Sequence, residues 1–419
     1  MNKNNIETLF IGTELLLGST LNTNSQWISR ELASIGLNHY RQSVIGDNFS
    51  RLEEIIIEAS TRCRVLITTG GLGPTPDDIT IESISNAFNT PIKHNEDVWQ
   101  EIKLKFNSTK NDISNNNMKQ AKFPLGAEII KNPIGTAPGI IFNPKNDFTI
   151  ITLPGVPEEM KVMWNQTVYK WLCKNININE LFISKTLNFS GISESSLAEI
   201  IGDLFQNKNP TIAPYASLED VKIRLTANAN TKIEGEKLIL PFEKKIKEKL
   251  GEKLYGTNEQ TLPSVVIDLL RNNNETISTA ESCTGGGIGL EIAKVSGASK
   301  VYSGSIAAYK NSIKEKILGV PKNIISKYGA VSEEVVEFMA EGVKEKFDTT
   351  WSIATSGIAG PEGGSEEKPV GLVYFCVTGP FGRKTFRHIY NSSRGRNAIQ
   401  RLSIFKALDI VRLFLLERS

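Results

Sequence analysis

Residues 276–293 read "TISTAESCTGGGIGLEIA": a short β-like run, a turn of three glycines and an apolar helical stretch. Strand, glycine turn and helix make one βα unit, and repeated units of this kind build a parallel sheet covered by helices. Two potential nucleophiles, Ser282 and Cys283, stand directly before the glycines. Amides exposed at a strand-to-helix turn, together with the helix dipole, favour an anion. Glycines also suit a helix start that must pack closely, and spacing alone leaves both readings open. Neither a Walker motif nor GxGxxG is present, so a nucleoside triphosphate is not indicated.

The same alternation extends outward. After residue 260 come a helix at "LPSVVIDLLRNN", a strand at "VYSGSIAAY", a helix at "SEEVVEFMAEGVKEKF" and strands at "TWSIATSG", "GLVYFCVTG" and "KTFRHIY", then a closing helix. Near the N-terminus, "IETLFIG", "RVLITTGG" and "FTIITLPG" read as strands. "NSQWISRELASIG" reads as a helix capped by Asn24 or Ser25 and ended by Gly36, and "VPEEMKVMWNQTVYKWL" as a helix opened by acids. "RLEEIIIEAS" places Leu52, Ile55, Ile56 and Ala59 on one helical face. Between them a smaller α+β segment begins after the Asn-rich linker "KNININE". The predicted fold class is α/β: two three-layer α/β domains, 1–173 and 260–419, joined by a small α+β domain, 176–256.

Composition narrows the function. Lys and Arg number 48 and Asp and Glu 46, a net charge of +2 that gives no electrostatic footprint for nucleic acid or an anionic membrane. No segment approaches the roughly 18 unbroken apolar residues of a membrane span, and "MNKNNIETLFIG" lacks a signal-peptide core, so a cytoplasmic protein is expected. Cys63, Cys173, Cys283 and Cys376 show no CxxC spacing, which argues against zinc and against a disulfide framework. The three histidines, His39, His94 and His388, rule out a His-rich metal site. A general base in the third segment is therefore Lys, Tyr or a carboxylate unless it is His388.

Within "SGASKVYSGSIAAYKNSIK", Ser299, Tyr309 and Lys314 offer a hydroxyl, a phenol and an amine. Asn311 is placed to cap a helix from Ser312, putting Lys314 in its first turn. A cation there opposes the helix dipole, and burial lowers its pKa further, so that it can accept a proton. Packing and solvation are the ordinary uses of the same residues. In "TSGIAGPEGGSEEKPVG", Ser356 and the amides of Gly357 and Ile358 are placed to hold a ribose or a reacting carbonyl, and Gly363 and Gly364 to hinge a lid. Arg394 and Arg396 in "SSRGRN" suit a phosphate. In the first segment, "TTGGLGPTPDDIT" joins Gly70, Gly71 and Gly73 to Asp77 and Asp78, either of which can hold a hard cation. Asp47, Glu14 and Asn22 add oxygen ligands, pointing to Mg²⁺-like metal and pyrophosphate chemistry. Acids at a helix N-terminus are the plain alternative for Asp77 and Asp78.

"AESCTGG", "GVPKNIISKYGAVSEEV" and "TSGIAGPEGGSEEKPVG" resemble the C-terminal domain of the CinA family, the nicotinamide mononucleotide deamidases, across nearly all of 260–419. The resemblance implies a serine nucleophile at Ser299 assisted by Lys314 and Tyr309. It assigns Glu281, Ser282, Cys283, Thr284, Gly285 and Gly286, with Ser356 and Gly357, to the substrate pocket, and Arg396 to the nucleotide. No cofactor is expected there. The first segment, with "NNNMKQA", "KNPIGTAPG" and "LPGVPEEM", resembles the N-terminal domain of full-length CinA proteins, of the MoaB/Mog molybdopterin-binding fold. This implies ADP-ribose pyrophosphatase activity with a divalent cation (Mg²⁺ or similar) on Asp47 and Asp78, and brings Lys119 into the site. Pro76 stands where the family often carries a lysine. The middle segment is similar to the family's KH-like domain but has no GxxG loop for gripping nucleic acid. The resulting expectation is a homodimeric pyridine-nucleotide salvage enzyme acting on nicotinamide mononucleotide and ADP-ribose. Its rivals are a competence or DNA-damage accessory protein, and a first domain that binds a pterin without hydrolysis.

Overall fold

The computed structural model describes residues 5–37, 39–108, 113–176 and 181–417; the linker "KNININE" runs into 177–180, outside the described residues. The chain falls into two compact units, Met1–Ile183 with Ala227–Glu236, and Ser184–Thr226 with Lys237–Ser419.

The first unit is built on a six-stranded sheet in the order His39–Ile45, Ile6–Ile11, Val65–Thr69, Phe148–Leu153, Gly139–Lys145, Glu128–Ile130. The first four strands are parallel, and the last two turn antiparallel. Successive side chains of a strand face opposite sides. Ile6, Phe10, Val65 and Ile67 accordingly enter one core, and Leu9, Ile11 and Leu66 the other. Helix Thr23–Ser34 is capped by Asn22, whose side chain accepts from the Ser25 amide, two or three residues earlier than predicted. Helix Phe49–Arg62 buries Leu52, Ile56 and Ala59, with Ile55 partly buried beside them. From Ile6–Ile11 the chain moves to one side of the sheet, and from Val65–Thr69 to the other. The crevice beyond the carboxyl ends of those two strands is where such sheets bind ligands.

The C-terminal segment repeats the plan in five strands, ordered Tyr302–Ala307, Ile277–Glu281, Trp351–Gly357, Leu372–Gly379, Gly382–Ile389. Only the first three are parallel. Helices Leu262–Asn272, Gly287–Ala293 and Gly395–Leu416 pack on one face through Val266, Ile288, Ile399 and Val411. Glu333–Phe347 and its neighbours cover the other through Val335, Met339 and Val343. Its switch point lies between Ile277–Glu281 and Trp351–Gly357. The middle segment carries a four-stranded sheet, ordered Thr211–Ala216, Val221–Ala229, Leu181–Phe189, Leu254–Thr257. Alternate residues of Val221–Ala229 are buried, the mark of a sheet covered on one side.

Candidate functional site

Strand Ile277–Glu281 ends at the C-terminal switch point, and its last residue shapes the turn that follows. Glu281 is fully buried, and its carboxylate accepts the amides of Gly286 (3.0 Å), Ile288 (3.0 Å) and Gly289 (2.8 Å). It also accepts the Thr284 hydroxyl at 2.7 Å. The turn closes because Gly285 and Gly286 adopt φ of 64° and 97°, which a side chain would oppose. This sharp bend presents Ser282, 9 % exposed, at the crevice, its amide donating to Thr355 O across the switch point.

Lys314, 1 % exposed, reaches the same point from helix Asn311–Leu318. Its Nζ donates to Ser282 Oγ (3.1 Å), Ala308 O (2.9 Å) and Tyr309 O (3.3 Å). All three partners are neutral oxygens, so burial pulls the lysine below its ordinary pKa with no contacting carboxylate to restore it. Deprotonated, it would keep two N–H bonds to the carbonyls and turn its lone pair to the serine hydroxyl. Cys283, by contrast, sits in the hydrophobic core with its thiol pushed up to about 12 by burial. A thiol so held is a poor nucleophile. Arg396, second residue of helix Gly395–Leu416, donates to Gly360 O (2.7 Å) and Tyr309 Oη (2.8 Å).

At the other switch point a cleft of about 440 Å³ opens beyond Ile11 and Gly70. Glu14, Asp47, Asp77, Asp78 and Glu159 all line it, and among its described lining residues there is no Lys or Arg. Its glycines are tightly set: a Cβ on Gly70 would stand 2.1 Å from Ile11 O, and one on Gly71 2.2 Å from Thr80 Oγ1. One oxygen of Asp47 accepts the amide and hydroxyl of Thr13 (2.8 and 2.9 Å), and one of Asp78 those of Thr75 (2.9 and 2.5 Å). Among the described residues no group of three or more His, Cys, Asp or Glu is arranged to hold a metal ion.

The sequence matches the family models "CinA C-terminal domain" over residues 259–415, "Probable molybdopterin binding domain" over 7–174 and "Damage-inducible protein CinA KH domain" over 184–256. A CinA-like protein of Prochlorococcus marinus is 55 % identical over 420 residues, spanning 100 % of this chain and 99 % of its own. One from Parasynechococcus marenigrum is 48 % identical, spanning 99 % of each. The chain belongs to the CinA family. Among solved structures, CinA of Thermoplasma acidophilum (31 % identical, TM-score 0.38) covers 42 % of this chain with 100 % of its own. The competence/damage inducible protein of Agrobacterium tumefaciens (34 %, 0.35) covers 37 % with 93 %.

Several expectations change on this CinA scaffold. Ser299 is exposed and precedes strand Tyr302–Ala307, whereas Tyr309 and Lys314 follow it. Six residues at about 3.3 Å each put them roughly 20 Å apart along the strand, at opposite ends of the sheet. The hydroxyl in contact with Lys314 is that of Ser282. Glu281 and the amide of Gly286 serve each other, and Gly285 N donates to Ser282 O (3.2 Å), so these groups hold the turn instead of a ligand. Thr284 likewise bonds Glu281 and Thr355. Ser356 Oγ donates to Ala330 O, the Ile358 amide to Leu372 O, and Gly357 is pressed against Val373. The helix bearing Lys314 starts at Asn311, one residue before the position expected from an Asn311 cap. Arg394 is exposed.

In the first unit Gly70, Gly71, Gly73 and the four predicted acids converge on one cleft. Asn22 caps its helix instead, while Lys119 contacts Thr75 O and Glu82 and lines a crevice with Gly71, Gly73 and Asp78 beside the cleft. Glu159 went unrecognised; Asn132 Nδ2 donates to it at 2.7 Å. Two acids in "VPEEM" were visible, but which of them faces the cleft is a matter of tertiary packing. Gln400 was also missed. Its amide donates to Cys283 O at 2.7 Å, and its place four residues after Arg396, on one helical face, was the available signal.

Proposed function

We propose that the C-terminal domain hydrolyses the carboxamide of nicotinamide mononucleotide, with Ser282 as nucleophile and Lys314 as its base. The observation that carries this is Lys314 Nζ, buried without a contacting carboxylate, 3.1 Å from Ser282 Oγ. An amide is a poor electrophile and needs an activated hydroxyl. Neutral Lys314 takes the Ser282 proton as Oγ bonds to the carboxamide carbon. The resulting ammonium returns the proton to the departing nitrogen, releasing ammonia and leaving an ester on Ser282. Water, giving its proton to Lys314, cleaves that ester to nicotinic acid mononucleotide and restores the serine. Arg396 pairs with the substrate phosphate, and Tyr309 holds Arg396 through its phenol.

For the first domain we propose ADP-ribose cleavage to AMP and ribose 5-phosphate with a divalent metal. Five acids without a lining cation would repel a pyrophosphate, and their oxygen-only donor set suits Mg²⁺, which is commonly held by one or two carboxylates plus substrate phosphates. Asp47 and Asp78 would hold it. When bound, such an ion neutralises phosphate charge and activates water. The molybdopterin-binding family model supports a second reading, pterin binding without hydrolysis. The match to the damage-inducible protein CinA KH domain would favour a nucleic-acid role. A net charge of +2 argues against it. The deciding experiment incubates the pure protein with each nucleotide and measures ammonia and AMP. No ammonia from nicotinamide mononucleotide refutes the first assignment, and no AMP from ADP-ribose with Mg²⁺ refutes the second.

A further inference from the structure

Helix Gly395–Leu416 carries three differently engaged residues within its first two turns. Arg396 meets Tyr309 and Gly360, and Gln400, one turn on, holds the Cys283 carbonyl behind Ser282. Arg401 lies a further ~100° round the helix, about 140° from Arg396, and so presents a different face. Its guanidinium donates through Nε to Glu219 of the middle segment and through Nη1 to Glu291 at 3.0 Å. Glu291 sits on helix Gly287–Ala293, which leaves the Ser282 turn, and it also accepts Lys294 at 2.8 Å.

Both ends of this link are held by further contacts. Glu219 is presented by a tight turn in which Ser217 Oγ donates to Asp220 at 2.7 Å, and Asp220 accepts the Tyr255 phenol at 2.6 Å. Helix Gly287–Ala293 lies so near the closing helix that a Cβ on Gly287 would come 2.3 Å from Ile404. The start of the closing helix is less firmly held. Residues 391–395 and Asn397 are exposed, and Ile399 is its first fully buried apolar side chain. Besides the bonds of Arg396 itself to Gly360 and Tyr309, the polar ties that hold this helix end are those made at 400 and 401.

We propose that Arg401 is a positioning residue: by clamping Glu219 to Glu291 it fixes the helix end that aims Arg396 at the substrate phosphate. The middle segment thereby contributes to nucleotide affinity without touching substrate. This rests on the amidohydrolase reading of the Ser282–Lys314 site. A planar guanidinium bridging two carboxylates suits the task, because its fork fixes direction as well as distance.

The test compares nicotinamide mononucleotide with nicotinamide riboside, which lacks the phosphate, in the full chain. Arg401→Ala should raise KM for the mononucleotide on the order of tenfold, short of the ~10²-fold that a 1 Å displacement of a reacting group can cost. Its kcat, and KM for the riboside, should stay near wild type. Arg401→Lys should recover part of the loss, since an ammonium can pair with a carboxylate but lacks the fork. Glu219→Gln, in the middle segment, should move KM in the same direction and decides the matter if Arg401→Ala fails to fold. Equal changes for both substrates, or no change for either, would overturn the clamp while leaving the amidohydrolase intact. A wild-type protein that releases no ammonia from the mononucleotide would remove both.

Discussion

Replacing Lys314 with Met separates its chemical role from its structural one. The side chain is 1 % exposed and, among the described residues, bonds Ser282 Oγ and two backbone carbonyls. Losing three hydrogen bonds to a charged donor costs about 1.5–3 kcal/mol each. Relieving a buried ammonium of its desolvation offsets part of this, so the variant should be destabilised by less than the lost bonds alone would cost. Activity should fall about 10²–10⁴-fold, the usual worth of a positioned acid–base group. The pH dependence adds a second signature. Burial lowers the folded-state pKa below 10.5, so between the two values the unfolded chain binds more protons and wild-type stability rises with pH. Below the folded pKa that contribution is lost, and Met should compare best with wild type at low pH. Wild-type kcat should rise as pH climbs through the lysine's pKa, and the variant's residual rate should lack that limb. Ammonia release and chemical denaturation, each followed across pH, measure both. A Met variant that keeps the wild-type rate and pH limb would refute Lys314 as the base.

Ser282→Ala should abolish ammonia release, while Ser299→Ala, at an exposed position, should stay within about 0.5 kcal/mol in stability and near wild type in rate. The reverse outcome would restore Ser299. Cys283→Ala should remain active, and an inactive but folded variant would make the thiol essential. Arg396→Ala should weaken the mononucleotide by about 1.5–3 kcal/mol more than the riboside, the worth of a hydrogen bond to a charged group. Equal losses for both would give Arg396 a purely structural role. Chelation, or Asp47→Asn with Asp78→Asn, should stop AMP formation and spare ammonia release; loss of both to a chelator would contradict the division of labour.

Much of the fold was legible because hydrophobic period and glycine punctuation act locally. Leu52, Ile56 and Ala59 face the core as their spacing requires, and the strands before Gly12, Gly70 and Ser282 fall where apolar runs meet turn residues. The antiparallel turn at Leu372–Gly379 was not legible, since nothing local distinguishes a parallel from an antiparallel buried strand. The grouping of Ser299 with Tyr309 and Lys314 was misleading because it too depends on long-range chain path. Ser299, Tyr309 and Lys314 are neighbours in sequence, yet an intervening strand carries the chain across the sheet. Glu281 looked available to a ligand because sequence does not show a carboxylate folding back onto the amides that follow it.

The two switch points answer the demand for positive charge in opposite ways. At the first, acids line the cleft with Lys119 beside its glycine loop, and under the proposed reading a metal ion would offset them for an anionic ligand. At the second, the one carboxylate of the turn, Glu281, is satisfied by helix amides before any ligand arrives. The amides that a glycine turn could have offered to a phosphate are thereby used up in shaping the bend at Ser282. On the proposed reading anion recognition falls to Arg396, at the start of a different helix, and proton transfer to Lys314. On that reading positive charge there is part of the chain, and the position of one helix end would set its grip on the nucleotide.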